Sequence, residues 1–344
     1  MKIAVVDDSK FTRMVIKQIL CDLPNSDFCW EAENGQVALE KNTQDPVDLI
    51  ISDLEMPVLD GLELLKTVIG GETETKCLLI SAFHKSNQPK IIDALEAGAI
   101  GFIEKSFLGK GFDIHGLKKE IDKYINFLTQ DNILKKEIKF IDAENNPKKA
   151  DIKTKADFIS IIGSAGSLGP MEKILALTSK IEVPIIIGIH IPLGVEKILI
   201  NRFKAVVDET TKLLGFEGPL QRGHVVLLRG GYNAKLSRNR EKIDIEYENL
   251  ISERIFTPNL DDFLLSAHLI DLVSDVIVLS GLCNDGRSGV REHFRRGGSV
   301  YVQSPETSIA RTMPLAIINE GSYSVVTDPE SIGKLLQEKY LTAL

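Results

Sequence analysis

The sequence predicts an α/β protein of two units in tandem: first a five-stranded parallel sheet, then a larger, mainly parallel, doubly wound one. Three observations lead there. The 344 residues correspond to about two domains at roughly 150 residues each. Apolar runs rich in Ile, Val and Leu alternate with helically spaced segments through both halves, the signature of strands covered on both faces. A stretch over 126–155, rich in Lys, Asp, Asn and Glu and broken at Asn146-Pro147, separates the halves.

Composition excludes several classes. The chain is 43% hydrophobic and 26% charged with net charge −8, which argues against nucleic acid as a partner or an anionic membrane as a surface. The longest apolar run, around 183–195, contains His190 and two prolines and falls short of the ~20 residues of a spanning helix. Asp7 and Asp8 follow only four apolar residues, so no signal peptide and no membrane insertion are expected. Cys21, Cys29, Cys77 and Cys283 show no CxxC spacing and read as reduced thiols of a cytoplasmic protein.

In the first unit, strands are expected at 2–6, 28–31, 48–52, 77–81 and 100–103, with helices between them and after Phe112. Right-handed crossovers put the strand ends on one edge. Polar residues gather there: Asp7 and Asp8 after the first strand, Asp53 after the third, Ser81 after the fourth and Lys105 after the fifth. Carboxylates so clustered repel one another unless a hard cation such as Mg²⁺ sits among them. The lysine completes a pocket for a phosphoryl group. An apolar stripe at Ile125, Leu128, Ile133, Leu134, Ile138 and Ile141 extends the last helix into the charged stretch.

In the second unit, strands are expected at 158–162, 184–189, 224–228, 243–247, 275–279, 298–302 and 323–326. Helices are expected at 170–180, 195–214, 259–273, 287–296, 309–319 and 329–340, with 224–247 as an antiparallel hairpin. The run Phe158 to Gly169 reads as a buried strand feeding a tight turn that presents Ser164 where a helix begins. A serine needs a base. His190 ends a second continuous apolar strand, and Asp285 follows a third. In a parallel sheet these three ends share one edge, where ligands bind.

Blander readings stand beside each. The Ser164 turn serves equally as a phosphate or cap turn, a lone His190 as a structural histidine, and Asp285-Gly286 as a turn. Ser167 is a rival nucleophile whose place nearer the helix suits a cap. Cys283 reads as core filler, since the nearest histidine in sequence, His293, lies in a predicted helix; His224 and His268 read as surface or packing residues. Gly163, Gly166 and Gly169 do not have dinucleotide-binding spacing.

Asp7-Asp8, Asp53 with Met56-Pro57 and Asp60-Gly61, Ser81-Ala82 and Lys105 resemble the response-regulator receiver domain over residues 1–125, a flavodoxin-like fold. The resemblance implies a phosphoacceptor at Asp53 and Mg²⁺ held by Asp8, Asp53 and the Glu55 carbonyl with Asp7 in support. It also implies phosphoryl contacts from Ser81 and Lys105, Phe102 as switch aromatic, and a sensor histidine kinase as donor. Ser106 stands where that family usually has proline.

Residues 156–344 resemble the catalytic domain of chemotaxis protein-glutamate methylesterases, on Ser164-Ala-Gly-Ser, His190-Ile-Pro, Gly281-Leu-Cys-Asn-Asp285-Gly286, Gln303 and Met313-Pro314. The resemblance implies hydrolysis of glutamate methyl esters, and glutamine deamidation, on a methylated chemoreceptor. Ser164 would be nucleophile, His190 base, Asp285 its orienting carboxylate and the Leu282 N–H an oxyanion donor, with no cofactor in this half. Phosphorylation would relieve restraint by the first unit. Several positions depart from the family, among them Ala165, Leu228 to Asn233, and Thr257-Pro-Asn259. A non-catalytic docking protein that keeps a phosphorylatable receiver is the alternative.

Overall fold

The structure is a computed structural model. It describes residues 1–71, 74–81, 87–105, 113–137, 156–178, 180–208, 212–215, 219–240, 242–248 and 256–341. The chain forms two compact units, one within 1–139 and one within 140–344.

In the first unit, β1 (Lys2–Val6), β2 (Asp27–Ala32), β3 (Leu49–Asp53), β4 (Lys76–Ser81) and β5 (Gly101–Glu104) alternate with α1 (Lys10–Cys21), α2 (Gly35–Gln44), α3 (Gly61–Ile69), α4 (Gln88–Ala97) and α5 (Ile114–Glu137). The sheet is parallel in the order β2-β1-β3-β4-β5. Its strand order reverses between β1 and β3, so the acidic residues that follow these strands flank the switch point where parallel sheets bind ligands. Side chains cap the helices near this edge: Ser9 accepts from Thr12 N, and Asp60 from Glu63 N. Only glycine fits at 61, because a Cβ there would lie 2.0 Å from the Asp53 carbonyl oxygen. Helix α5 carries the apolar stripe past residue 125; the rest of the charged stretch lies outside the described residues.

The second unit contains β6 (Phe158–Gly163), α6 (Leu168–Thr178), β7 (Ile185–Ile189), α7 (Glu196–Lys204), β8 (Lys212–Gly215), β9 (His224–Leu227), β10 (Asn233–Asn239), β11 (Lys242–Glu248), α8 (Leu260–His268), β12 (Ser274–Val278), α9 (Arg287–Arg295), β13 (Val300–Gln303), α10 (Thr312–Glu320), β14 (Val325–Thr327) and α11 (Pro329–Leu341). Seven parallel strands run β14-β13-β12-β6-β7-β9-β8. Their residues in β6, β7 and β12 are buried throughout, as double coverage demands.

Two expectations are corrected. The stretch 224–247 is not one hairpin: β9 lies within the parallel sheet, and the hairpin is β10 with β11. Every residue of β9 is buried, whereas β10 alternates buried and half-buried over its first five residues, so the continuous apolar run marked a covered strand. The helix expected over 195–214 stops at Lys204, and 212–215 forms strand β8. Four residues are too few for periodicity to separate strand from helix.

Candidate functional site

At the edge of the first sheet, carboxylate oxygens of Asp7, Asp8 and Asp53 lie within 4.8 Å of one another. Asp7 and Asp53 are buried and Asp8 is exposed. Lys105 Nζ approaches Asp53 Oδ2 at 2.5 Å and Asp7 Oδ2 at 2.9 Å. Burial pushes the Asp53 carboxyl above its ordinary range; the Lys105 ammonium opposes this and the Asp7 charge adds to it. Burial also acts to lower the Lys105 pKa, but Asp53 and Asp7 outweigh it and the net direction is up. Asp7 Oδ2 is fully buried and faces the Lys105 ammonium. Three hard oxygen donors with a single lysine to offset their charge suit a small divalent cation.

The other residues expected at the phosphoryl site lie on β4, on β5 and just past the end of β3. Ser81 ends β4 and is buried, while Phe102 is half-buried on β5. Glu55 donates its N–H to Asp53 Oδ1 at 3.4 Å and accepts from Asn87 Nδ2 at 3.0 Å. Arg13 was missed by the sequence reading. Its guanidinium donates to the carbonyls of Asp7 at 2.7 Å and Asp8 at 3.3 Å, holding the acidic turn open; its place four residues after the Ser9 cap was the available signal.

In the second unit, β6, β7 and β12 are neighbours, with Gly163 opposite Ile189 in register. Ser164 and His190 therefore leave adjacent strands side by side. His190 is buried, and its Nε2 lies 2.8 Å from Asp285 Oδ2. Asp285 Oδ2 also accepts from Leu260 N at 2.8 Å, and its Oδ1 from Asp261 N and Gly286 N, both at 3.0 Å. A carboxylate satisfied by three backbone donors is an acceptor only, so Nε2 carries the proton it shares with Asp285. Nδ1 is left as the basic nitrogen.

Nδ1 does not meet the Ser164 hydroxyl. It faces Cys283 Sγ at 3.6 Å, and no hydrogen bond joins Ser164 Oγ to His190 among the described residues. Cys283 is 1% exposed; it is buried as core filler would be, but its histidine contact is His190, not His293. Sequence distance misled because the relevant neighbour comes from another strand. Phe256, also missed, stacks on the His190 ring at 4.7 Å.

The serine turn is held from below. Ser164 N donates to Ser280 O at 2.9 Å, and Ser280 Oγ to Ala165 O at 2.7 Å. Ser280 N in turn donates to Gln303 Oε1 at 2.9 Å. Ser167 is fully buried and donates its hydroxyl to Ser164 O at 2.6 Å, a bond within the turn that commits its proton to the backbone. A Cβ at Gly281 would lie 2.1 Å from Met313 Sδ and 3.1 Å from Ser164 Cβ, so glycine there lets the 281–285 loop close over the serine. The Leu282 N–H on that loop donates to no protein group among the described residues. His224 and His268 are buried packing residues. No helix among the described residues is long and apolar enough to cross a membrane.

An acidic, lysine-gripped switch point in one unit and a histidine–aspartate pair beside a serine turn in the other define a two-unit signalling hydrolase. The CheB methylesterase family matches residues 159–336, and the response regulator receiver domain matches residues 3–112. The protein-glutamate methylesterase/protein-glutamine glutaminase 1 of Carboxydothermus hydrogenoformans is 30% identical over 97% of each chain. The one from Methanosarcina acetivorans is 27% identical over 98% of this chain and 99% of its own. The CheB methylesterase catalytic domain of Thermotoga maritima, a solved structure, is 23% identical, covering 54% of this chain and 99% of that one, with TM-score 0.49. The chain belongs to the CheB methylesterase family and carries a response regulator receiver domain.

Proposed function

We propose that the chain hydrolyses glutamate methyl esters of a methylated chemoreceptor under control of phosphorylation at Asp53. The observation that carries the hydrolytic reading is the His190–Asp285 pair at 2.8 Å, one strand from the Ser164 turn. Asp285 fixes the ring so that Nδ1 faces inward as base. Ser164 gives its proton to Nδ1 as Oγ attacks the ester carbonyl, and the Leu282 N–H supports the oxygen that becomes negative. The imidazolium returns the proton to departing methanol. Water then repeats the sequence on the acyl-serine, freeing the glutamate side chain; glutamine would follow the same path with ammonia leaving.

In the receiver, Asp8, Asp53 and the Glu55 carbonyl would hold Mg²⁺ with Asp7 in support, and the cation would neutralise charge on an incoming phosphoryl group. Lys105 and Ser81 would bind the phosphoryl oxygens, with Phe102 reporting the change. The receiver resemblance implies a sensor histidine kinase as the donor. The domain reading of 1–125, a linker over 126–155 and a catalytic region over 156–344 fits this division of labour.

The thiol at Nδ1 is the observation that favours a second reading, in which the C-terminal unit binds without hydrolysing. A fluorophosphonate probe decides between them. Labelling of Ser164, located by peptide mass spectrometry and lost in His190→Ala, supports hydrolysis; absence of labelling supports docking.

A further inference from the structure

Helices α8 and α9 each begin at the edge that carries Asp285, and each beginning is closed by a carboxylate of the other. Asp285, two residues before α9, accepts the first two amides of α8, those of Leu260 and Asp261. Asp261, the second residue of α8, accepts the Gly289 amide in the first turn of α9 at 2.9 Å. The exchange is not redundant capping. Helix α8 already has its own cap, Asn259, whose Oδ1 accepts from Asp262 N at 2.8 Å. Helix α9 has none, because its N-cap is Gly286, which offers no side chain and sits at φ +88°. Asp261 supplies the missing acceptor from across the junction.

We propose that Asp261 is a positioning residue for the hydrolysis described above: by holding the start of α9 it fixes the Asp285-Gly286 turn, and with it the orientation in which Asp285 presents to His190. The inference rests on the hydrolytic reading of Ser164, His190 and Asp285. Without Asp261 the Gly289 amide loses its acceptor, and the glycine turn before α9 is left to the Gly286 amide on Asp285 and the Arg287 amide on the Asn284 carbonyl at 3.4 Å, a weaker hold on a residue that already has wide backbone freedom. Asp285 would then keep its charge and lose its aim, and errors of about 1 Å in such a group cost ~10²-fold in rate.

The electrostatics of the junction fit. Burial drives the Asp261 carboxyl up to about 6; the Gly289 amide opposes the rise, and the charges of Asp285 and Asp262 add to it. Above about pH 6, where it is ionised, Asp261 places a second negative charge beside the carboxylate that pairs with His190.

The test compares Asp261→Ala and Asp261→Asn in the full-length protein, measuring kcat, KM and the pH profile of kcat/KM for ester hydrolysis, with thermal melting as a check on folding. Asp261→Ala should lower kcat ~10–100-fold with KM nearly constant. Asp261→Asn keeps an oxygen for the Gly289 amide and should recover most of kcat. It should also change the acid limb, because the carboxyl that titrates at about 6 beside Asp285 is gone. A melted Asp261→Ala leaves the decision to that shift. Wild-type kcat in Asp261→Ala, or an unmoved acid limb in Asp261→Asn, overturns the proposal. An inactive wild type that also resists the fluorophosphonate defeats the hydrolytic reading instead.

Discussion

The Cys283 thiol stands 3.6 Å from His190 Nδ1, on the nitrogen that Asp285 leaves open. A thiol is a weak hydrogen-bond donor, so it holds the neutral ring in the tautomer needed for catalysis yet yields the lone pair to a better partner. Cys283→Ala should therefore keep kcat on a small ester within ~3-fold of wild type or raise it, since Ser164 loses a competitor. Cys283→Ser, with a stronger donor, should lower it. A ~100-fold loss in Cys283→Ala alongside an active Ser164→Ala would make the thiol the nucleophile.

Ser167 braces the serine turn. Its buried hydroxyl is committed to the Ser164 carbonyl at 2.6 Å, so Ser167→Ala should cost about 1 kcal/mol of stability, in proportion to one lost hydrogen bond. Fluorophosphonate labelling of Ser164 should persist. Denaturant melts and labelling of the same variant check both halves of this expectation.

In the receiver, Mg²⁺ and protons compete for Asp53. Its pKa is raised, so the ionised form that binds a cation is depleted at a higher pH than for an exposed aspartate. Mg²⁺ affinity, followed by titration calorimetry, should fall as pH drops through that raised pKa. Phosphorylation by acetyl phosphate should require Mg²⁺ and vanish in Asp53→Asn. Labelling that survives chelation would contradict the assignment.

Acid stability should depend on His293. Its ring accepts from Ser274 N at 3.0 Å and contacts Leu264 O at 3.1 Å, and burial pulls its pKa down to about 3 with help from His268. The unfolded chain takes up a proton near 6.5 that the folded one refuses, so the stability this site contributes is whole above 6.5 and erodes as pH falls toward 3. His293→Gln should flatten the melting temperature across that window, relative to wild type, while lowering it at neutral pH.

Much of this was legible in the chain. Apolar runs that give way to Asp7-Asp8, Asp53, Ser164, His190 and, past a short loop, Asp285 identify parallel strands and the edges they share, because a covered strand holds a charge inside only where a partner is built for it, as Lys339 is for Asp275. The hairpin was misplaced because His224 to Leu228 is as apolar as a central strand, which it is. Contacts between side chains from different strands were out of reach. Cys283 on His190, Phe256 on the same ring and Asp261 on α9 depend on loop paths that no local pattern encodes, and the His293 neighbour of Cys283 in sequence pointed the wrong way.

The most direct test of the central claim is methanol release from a methylated chemoreceptor by the purified full-length protein, compared with Ser164→Ala and His190→Ala. Release by the wild type, raised on phosphorylation and reduced to background in each variant, is the predicted result, with the double variant no worse than either single because the residues act as one unit. Release that persists undiminished in Ser164→Ala, or a wild type that binds the receptor and frees no methanol, would contradict it.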